Sequence, residues 1–141
     1  MMIAAILRNK GNEVIQVSPE TTIRELTSLL AERRIGAVPV VDGGQVVGIM
    51  SERDIVTTLG REGGSMLDWP VERVMTRPAI TVTPDLPVIA GLSLMTRRRI
   101  RHLPVVENGR MVGFVSIGDL VKARIEQIEG EADAMRAYIA S

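Results

Sequence analysis

The residues of this chain best suited to chemistry form one short pattern that occurs twice. The pattern is Gly-x-x-Ser-x-x-Asp, at Gly48 to Asp54 and again at Gly113 to Asp119. A serine followed three residues later by an acid, ahead of an apolar run, is typical of a helix N-terminus, because each side chain satisfies a free backbone N–H. The same place suits a ligand, since a helix N-terminus attracts phosphate and a carboxylate accepts hydrogen bonds from both hydroxyls of a ribose.

Capping and ligand binding both remain open, because they use the same geometry. The glycine that opens each pattern would let a ligand come close to the backbone. A single pattern mostly indicates a helix cap. Two patterns at matched positions of a repeat favour binding.

Such a repeat is present, since a shift of 65 residues aligns the chain with itself without gaps. Residues 14–56, the first copy, and residues 79–121, the second copy, share 17 identities in 43 positions. Eight of the other 26 pairs exchange one apolar residue for another. The two segments are therefore predicted to be structural copies of each other.

The sequence of each copy predicts secondary-structure elements in the order β-α-β-β-α. In the first copy we expect a strand at 15–17, a helix capped by Thr21 or Thr22 and stopped by Gly36, strands at 37–41 and 45–50, and a helix from Ser51 to about Leu59. In the second copy we expect strands at 80–82, 103–106 and 110–115, and a helix from Val88 to Arg99. Asp42-Gly43-Gly44 and Glu107-Asn108-Gly109 are the expected hairpin turns.

The fold class is therefore α+β, with tandem repeats and additional helices at both ends. Because a unit of about 45–50 residues cannot bury both faces of one small sheet alone, we expect the copies to pack sheet to sheet with pseudo-twofold symmetry. This packing would create two equivalent clefts between the copies. The predicted domains are 1–62, an N-terminal helix and the first copy; 63–73, a linker; 74–126, the second copy; and 127–141, a C-terminal helix extension.

The segment between the copies carries turn signals. Glycines make residues 60–69 resemble a loop, and Pro70 suits the first turn of a short helix over 71–75.

Beyond the second copy, apolar residues recur at alternating spacings of four and three. They are Val121, Ile125, Ile128, Ala132, Met135 and Ile139. This spacing is a heptad repeat, which packs either against the chain's own body or against a second helix. We expect self-association as a homodimer.

Composition excludes several classes of function. Seventeen basic residues balance seventeen acidic ones, so a general attraction to nucleic acid or anionic lipid is not expected. Cysteine is absent and His102 is the single histidine, which leaves no thiolate nucleophile and no multi-histidine metal site within one chain. The apolar run at the start is too short for a signal peptide, and no window suits a membrane span. We expect a cytoplasmic protein that is not an enzyme.

The motifs resemble those of a known family. The residues that carry the likeness are Ile35 to Asp42, Gly48 to Asp54, Val74 to Pro78 and their second-copy equivalents. Over about residues 8–125 the chain resembles a CBS-domain pair, or Bateman module, and in particular small stand-alone bacterial proteins of this type. The resemblance implies regulatory binding of an adenine nucleotide (AMP, ADP or ATP, sometimes NAD or S-adenosylmethionine) in the clefts, with no required cofactor and no metal.

The resemblance also implies roles for individual residues. Asp54 and Asp119 would hold ribose, and Ser51 and Ser116 would lie near ribose or phosphate. Adenine would lie against the segment before the first strand of each copy, which here gives Gly11, Val14 and Ile15 in one site and Arg77, Pro78, Ala79, Ile80 and Thr81 in the other. The positions expected to contact phosphate are Arg53, Arg101 and His102.

These basic positions differ between the copies. Gly36 and Ala37 stand where the second copy has Arg101 and His102, and Gly118 stands opposite Arg53, so the two clefts cannot be equivalent. Arginines 97–99 are also explained as a solvated helix end, and His102 as a structural residue.

The sequence and the resemblance are consistent with two different functions. The first is a sensor whose nucleotide-bound state an unknown downstream protein reads. The second is a structural dimerisation module without a physiological ligand.

Overall fold

A computed structural model describes residues 1–11 and 13–141 of the chain. Its helices are α1 (Ile3–Lys10), α2 (Ile23–Arg33), α3 (Glu52–Glu62), α4 (Val88–Arg98) and α5 (Ile117–Ala140). Its strands are β1 (Ala37–Asp42), β2 (Gln45–Ser51), β3 (His102–Glu107) and β4 (Arg110–Ser116), and short 3-10 helices cover Gly64–Asp68 and Val71–Arg73. Strand β1 pairs with β2, and β3 pairs with β4. The predicted α+β fold class with repeated elements is confirmed.

The chain divides into two compact units that do not follow chain order. The first-copy unit comprises residues 13–80 and 108–111. The second-copy unit comprises residues 1–12, 81–107 and 112–141. Helix α1, which the sequence analysis grouped with the first copy, therefore belongs to the unit of the second.

In the first-copy unit, the β1–β2 hairpin lies at the centre of the core. The strands are antiparallel, from the pair Ala37 and Ser51 to the pair Asp42 and Gln45. Positions 37–41 of β1 are all buried, as the uniformly apolar sequence of this strand predicts. The core around the hairpin includes Val38, Val40, Met50, Leu26 and Ile55.

In the second-copy unit, α1 is anchored to the loop that precedes α4. The N–H of Ile3 donates to the carbonyl of Leu86 at 2.9 Å, and the N–H of Ala4 to that of Pro84 at 2.8 Å. Ile3 is fully buried, as are Val88, Leu103, Val105 and Leu120 from the other elements of the unit. Burial of this apolar face fixes α1 to the second copy.

The strands predicted at 15–17 and 80–82 are reduced to single bridges. Val17 and Val82 form parallel bridges with Val40 and Val105. The N–H of Thr21 donates to the carbonyl of Ser18 at 3.1 Å. This turn, together with the missing N–H of Pro19, ends the pairing after one residue.

Helix α2 ends earlier than predicted. Its last residue is Arg33, and Arg34 caps it in the left-handed conformation at φ 55°. The N–H of Ile35 then donates back to the carbonyl of Leu30 at 3.1 Å, which closes the helix two residues before Gly36. Arg99 and Ile100 repeat this arrangement at the end of α4, with the bond to Met95 at 3.0 Å.

The loop predicted at residues 60–69 is largely helical. Helix α3 continues through Gly60 to Glu62, and Gly63 caps it with a positive φ of 79°. The 3-10 helix that follows places Met66 in the core, fully buried. Pro70 precedes the second 3-10 helix instead of opening a longer one, and Val71 is fully buried beside Met66 in the core. Apolar burial orders a segment whose glycine content suggested a loop.

Candidate functional site

Both Ser-x-x-Asp motifs form complete helix caps. In the first copy the N–H of Asp54 donates to Ser51 Oγ at 3.2 Å, and the N–H of Ser51 donates to Asp54 Oδ2 at 2.9 Å. In the second copy the equivalent bonds of Ser116 and Asp119 are 3.1 and 2.8 Å long. The capping interpretation is therefore confirmed in both copies.

The two carboxylates also bond to a chain segment outside their own helices. Thr76 Oγ1 donates to Asp54 Oδ1 at 3.3 Å. Lys10 Nζ donates to Asp119 Oδ2 at 2.7 Å, which is also an ion pair. Each motif acid therefore accepts hydrogen bonds both from its own helix cap and from a residue that precedes the other copy in the sequence.

The same two residues also bond to the strand that leads into the motif. The N–H of Thr76 donates to the carbonyl of Ile49 at 2.9 Å, within an isolated antiparallel bridge. Lys10 Nζ donates to the carbonyl of Phe114 at 2.9 Å. Because Ile49 and Phe114 are equivalent under the 65-residue shift, one ammonium group in the second copy does what a backbone N–H and a hydroxyl do in the first.

The glycine at the head of each motif accommodates protein atoms. A Cβ at Gly48 would lie 2.5 Å from Met75 Sδ and 3.1 Å from the carbonyl oxygen of Thr76. A Cβ at Gly113 would meet the side chain of Leu7. The expectation that these glycines leave room for a ligand is corrected, because Met75 and Thr76 fill that space in the first copy and Leu7 fills it in the second.

Lys10 also sets the electrostatics of the second motif. Burial alone raises the pKa of the Asp119 carboxyl, but the hydrogen bonds from Lys10 and Ser116 outweigh it and hold the pKa below the usual value of 3.8. Asp119 is therefore ionised at neutral pH, and an ammonium group already occupies one of its oxygens.

Comparison with a family model decides the classification. The model of the CBS domain matches the chain twice, at residues 8–61 and 71–126. The chain belongs to the CBS-domain family.

Solved structures of CBS-domain proteins share its fold. ATU1752 from Agrobacterium tumefaciens is 38% identical, with a TM-score of 0.83 over 88% of this chain and 99% of its own. PAE2072 from Pyrobaculum aerophilum, solved in complex with AMP, is 30% identical, with a TM-score of 0.75 over 84% of this chain and 89% of its own. The CBS-domain pair of MJ0100, solved with 5-methylthioadenosine and S-adenosyl-L-methionine, is 28% identical, with a TM-score of 0.78 over 90% of this chain and 98% of its own.

Within each CBS copy, the residue before the buried strand lies next to the helix start. The carbonyl of Gly36 accepts the N–H of Glu52 at 2.9 Å, and the carbonyl of Arg101 accepts the N–H of Ile117 at 2.8 Å. The backbone of Arg101 is therefore beside the second motif, and its side chain is exposed. Its equivalent in the first copy is a glycine without a side-chain cation.

His102 packs through its ring. The imidazole stacks on Phe114, with the ring centroids 5.5 Å apart and the planes 11° from parallel. This contact agrees with the structural interpretation of His102 and places the ring beside the strand whose carbonyl binds Lys10. Its predicted contact with phosphate stays a prediction.

The remaining predicted residues divide between the units. Arg77 follows Thr76 near Asp54, and its guanidinium donates to the carbonyl of Glu72 at 3.4 Å. Gly11 caps α1 next to Lys10, near Asp119. Arg53 is exposed in the first turn of α3. Among the described residues no hydrogen bond joins either motif to Val14, Ile15, Pro78, Ala79, Ile80 or Thr81, and Asn12, within the first predicted adenine segment, lies outside the described residues. The binding role of all these residues stays a prediction.

Sequence reasoning assigned no role to Lys10 or to Thr76, although Thr76 lies within the segment Val74 to Pro78 that carries the family resemblance. The internal similarity starts at positions 14 and 79, so the preceding segments carry no repeat signal. The signal available in the sequence was their position, because each of the two residues lies just before one of the copies.

In the part of the chain that the structure describes, no helix is long and apolar enough to cross a membrane.

Proposed function

We propose that this CBS-domain pair is a sensor that binds an adenine nucleotide at each Ser-x-x-Asp motif and passes the bound state to a partner protein. One observation carries the proposal. In both copies a carboxylate at a helix N-terminus is held half-buried next to a separate segment of chain, through Thr76 or Lys10. The adenosine ligands bound by PAE2072 and MJ0100 support the choice of ligand class.

The helix start supplies a donor for phosphate. Gly36 and Ser51 accept the N–H groups of Glu52 and Asp54. We assign the intervening N–H, that of Arg53, to phosphate in the first copy, and that of Gly118 to phosphate in the second. The N-terminal partial charge of the helix favours the anion in both places.

The two sites differ in what the ribose must displace. At Asp54 a ribose hydroxyl competes with the neutral Thr76 hydroxyl, whose bond is 3.3 Å long. At Asp119 it competes with the Lys10 ammonium at 2.7 Å. Because the bond from Lys10 joins two opposite charges and is shorter than the bond from the uncharged Thr76 hydroxyl, the Asp54 site is expected to bind nucleotide more tightly.

Catalysis forms no part of this proposal. A sequence with a single histidine and no cysteine offers no activated nucleophile with its base, so binding alone is assigned. The proposal includes a homodimer in the cytoplasm.

The nucleotide can change the signal to the partner protein only if it binds two arrangements of the protein with different affinities.

Calorimetric titration with AMP, ATP and NAD tests the proposal. The wild-type protein is expected to bind at least one of them, and the Asp54→Ala, Asp119→Ala double variant to bind none. Thr22→Ala is the matched control, because Thr22 caps α2 by accepting the N–H of Glu25 at 3.1 Å, away from both motifs. It removes a cap worth about 1 kcal/mol of stability while leaving the nucleotide affinity unchanged. No heat and no thermal shift with any of the three at millimolar concentration would contradict the sensor.

The second candidate is a structural dimerisation module without a physiological ligand. The observation in its favour is that both capping boxes are complete with protein atoms alone. The same titration separates the two functions, because this candidate predicts a stable dimer that binds no nucleotide.

A further inference from the structure

Helix α5 presents an apolar stripe that its own unit leaves uncovered. The stripe, which we call the seam, consists of Val121, Ile125, Ile128, Ala132, Met135 and Ile139. Val121, Ile125, Ile128, Met135 and Ile139 are 41, 50, 48, 58 and 75% exposed. The buried residues of the helix are different ones, Leu120 and Ala123.

The seam and the buried face lie on different sides of α5. At about 100° per residue, the seam is centred roughly 100° around the helix from Leu120. The helix therefore attaches to its unit through one face, and that unit leaves a second apolar face uncovered. Packing of the seam against its own unit is not what the structure shows for these residues.

Charges beside the seam distinguish the two directions in which a second helix could lie. The four-three spacing puts Val121, Ile128 and Met135 at heptad position d, and Ile125, Ala132 and Ile139 at position a. Position e then holds Lys122, Glu129 and Arg136, and position g holds Arg124, Glu131 and Tyr138.

A parallel, in-register pair brings opposite charges together. In that arrangement a g residue meets the e residue five positions later on the other helix. Arg124 then faces Glu129, and Glu131 faces Arg136. Each contact occurs twice, because the two helices are identical.

An antiparallel pair with full overlap brings like charges together. Position e then meets e and position g meets g, so that Glu129 faces Glu129, Glu131 faces Glu131, and Lys122 faces Arg136. Like charges at such positions are destabilising. The present contact of Arg136 with Asp133 is no obstacle, since this pair is exposed by 77 and 74% and such surface pairs are weak.

We propose that two copies of this chain associate through the seam as a parallel, in-register coiled coil. The occupant of the seam is the same helix of a second copy. The inference rests on the homodimer within the proposed function and adds its surface and direction. It does not depend on nucleotide binding.

Cysteine cross-linking of the full chain tests the direction, because the natural sequence has no cysteine to interfere. Met135→Cys puts one thiol at a d position, and identical d residues face each other only in the parallel arrangement. We expect rapid oxidation to a covalent dimer. Gly130→Cys, on the outer side of the heptad, is the control and is expected to stay largely uncross-linked.

Sedimentation of four further variants tests the surface and the charges beside it. Ile128→Asp is expected to raise the dimer dissociation constant at least a hundredfold. Ile89→Asp, at an exposed isoleucine of α4, is the matched control and is expected to change it less than threefold. Glu129→Arg should weaken the dimer about threefold to tenfold, and adding Arg124→Glu should restore it.

The outcomes separate this inference from the proposals on which it builds. A dimer that survives Ile128→Asp, or that leaves Met135→Cys unlinked, overturns the parallel seam but keeps the homodimer. A monomer at all concentrations overturns both. Either result leaves the nucleotide titrations unaffected.

Discussion

At the scale of residues, the two copies hold their motif acids in chemically different ways. Thr76 uses a backbone N–H and a hydroxyl to hold Ile49 and Asp54, whereas Lys10 uses one ammonium group to hold Phe114 and Asp119. The donor to Asp54 is an uncharged hydroxyl, whereas Lys10 and Asp119 form an ion pair. Two helix caps with the same sequence pattern are therefore expected to respond differently to ligand.

Lys10→Met tests the ion pair, because Met75 stands at the equivalent position of the other copy. The side chains of Lys10 and Asp119 are 42 and 28% exposed, so we expect the variant to lose only about 0.2–1 kcal/mol of unfolding free energy at pH 7. Urea denaturation measures this difference.

The pH dependence of that difference has a defined sign. The folded-state pKa of Asp119 lies below its usual value of 3.8, despite burial that raises it, because of the bonds from Lys10 and Ser116. The stabilisation is therefore complete above the unfolded pKa and is lost as pH falls through the folded pKa. The gap between wild type and Lys10→Met should shrink below about pH 4. A gap that is constant or grows in acid would contradict the role of this ion pair.

The residue pattern predicted the motif acids and serines but not their partners. Ser51, Asp54, Ser116 and Asp119 were recognisable because a cap is a local arrangement with a fixed spacing. The bonds from Lys10 and Thr76 span 109 and 22 residues. A local sequence pattern cannot predict contacts between residues so far apart in the chain. For His102, sequence left two roles open, and the stacking on Phe114 is a contact that spacing alone could not reveal.

At the scale of elements, the motif glycines let a neighbouring segment lie against the strand before each motif. Gly48 adjoins Met75 Sδ and the carbonyl oxygen of Thr76, and that carbonyl also accepts the N–H of Ile49 at 3.0 Å. Gly113 adjoins only atoms of the Leu7 side chain among its three nearest neighbours. The first contact is fixed by the backbone, whereas the second can relax by side-chain rotation.

Alanine substitutions test this difference. Gly48→Ala is expected to cost about 1–3 kcal/mol of stability, because the added Cβ pushes the Thr76 segment away from its strand. Gly113→Ala should cost less, since Leu7 can move. Chemical denaturation of the two variants under identical conditions gives the comparison, and a larger loss for Gly113→Ala would refute the assignment of the rigid contact.

Regular elements were predictable where burial and local sequence agree. The apolar run at 37–41 predicted a strand, which is buried, and Thr21 or Thr22 was the predicted cap of α2, a position that Thr22 occupies. The errors arose where one contact overrides a local signal. Arg34 ends α2 in a conformation more typical of glycine, and Met66 draws a glycine-rich segment into the core as a 3-10 helix.

At the scale of the whole molecule, the repeat predicted two similar α+β copies, but chain order misassigned α1. Its hydrogen bonds run to Leu86 and Pro84, and its Lys10 reaches Asp119, all in the second-copy unit. The helix precedes the first copy in sequence, and its apolar residues do not specify which copy they cover. The second site is therefore predicted to depend on a helix at the far end of the chain.

Nucleotide binding is also measurable as thermal stability, because a ligand that binds only the folded state stabilises that state. A ligand at about 100 times its dissociation constant stabilises the folded state by about 2.7 kcal/mol per site. For a chain of this size, we expect the melting temperature to rise by about 5–11 °C per filled site. With two sites of unequal affinity, the melting temperature rises first through the tighter site and then rises more steeply above the dissociation constant of the weaker site.

Single variants assign the two rises. We expect Asp54→Ala to abolish the rise at low AMP and Asp119→Ala to abolish only the rise at high AMP, because ribose must displace the Lys10 ammonium at the second site. Lys10→Met should shift the second rise to lower AMP by about threefold to tenfold and leave the first in place. Equal responses of Asp54→Ala and Asp119→Ala at every AMP concentration would show that the sites are equivalent. A second rise that Lys10→Met moves to higher AMP would instead show that Lys10 helps to bind the nucleotide, so the direction of that one shift decides whether the ion pair competes with the ligand or assists it.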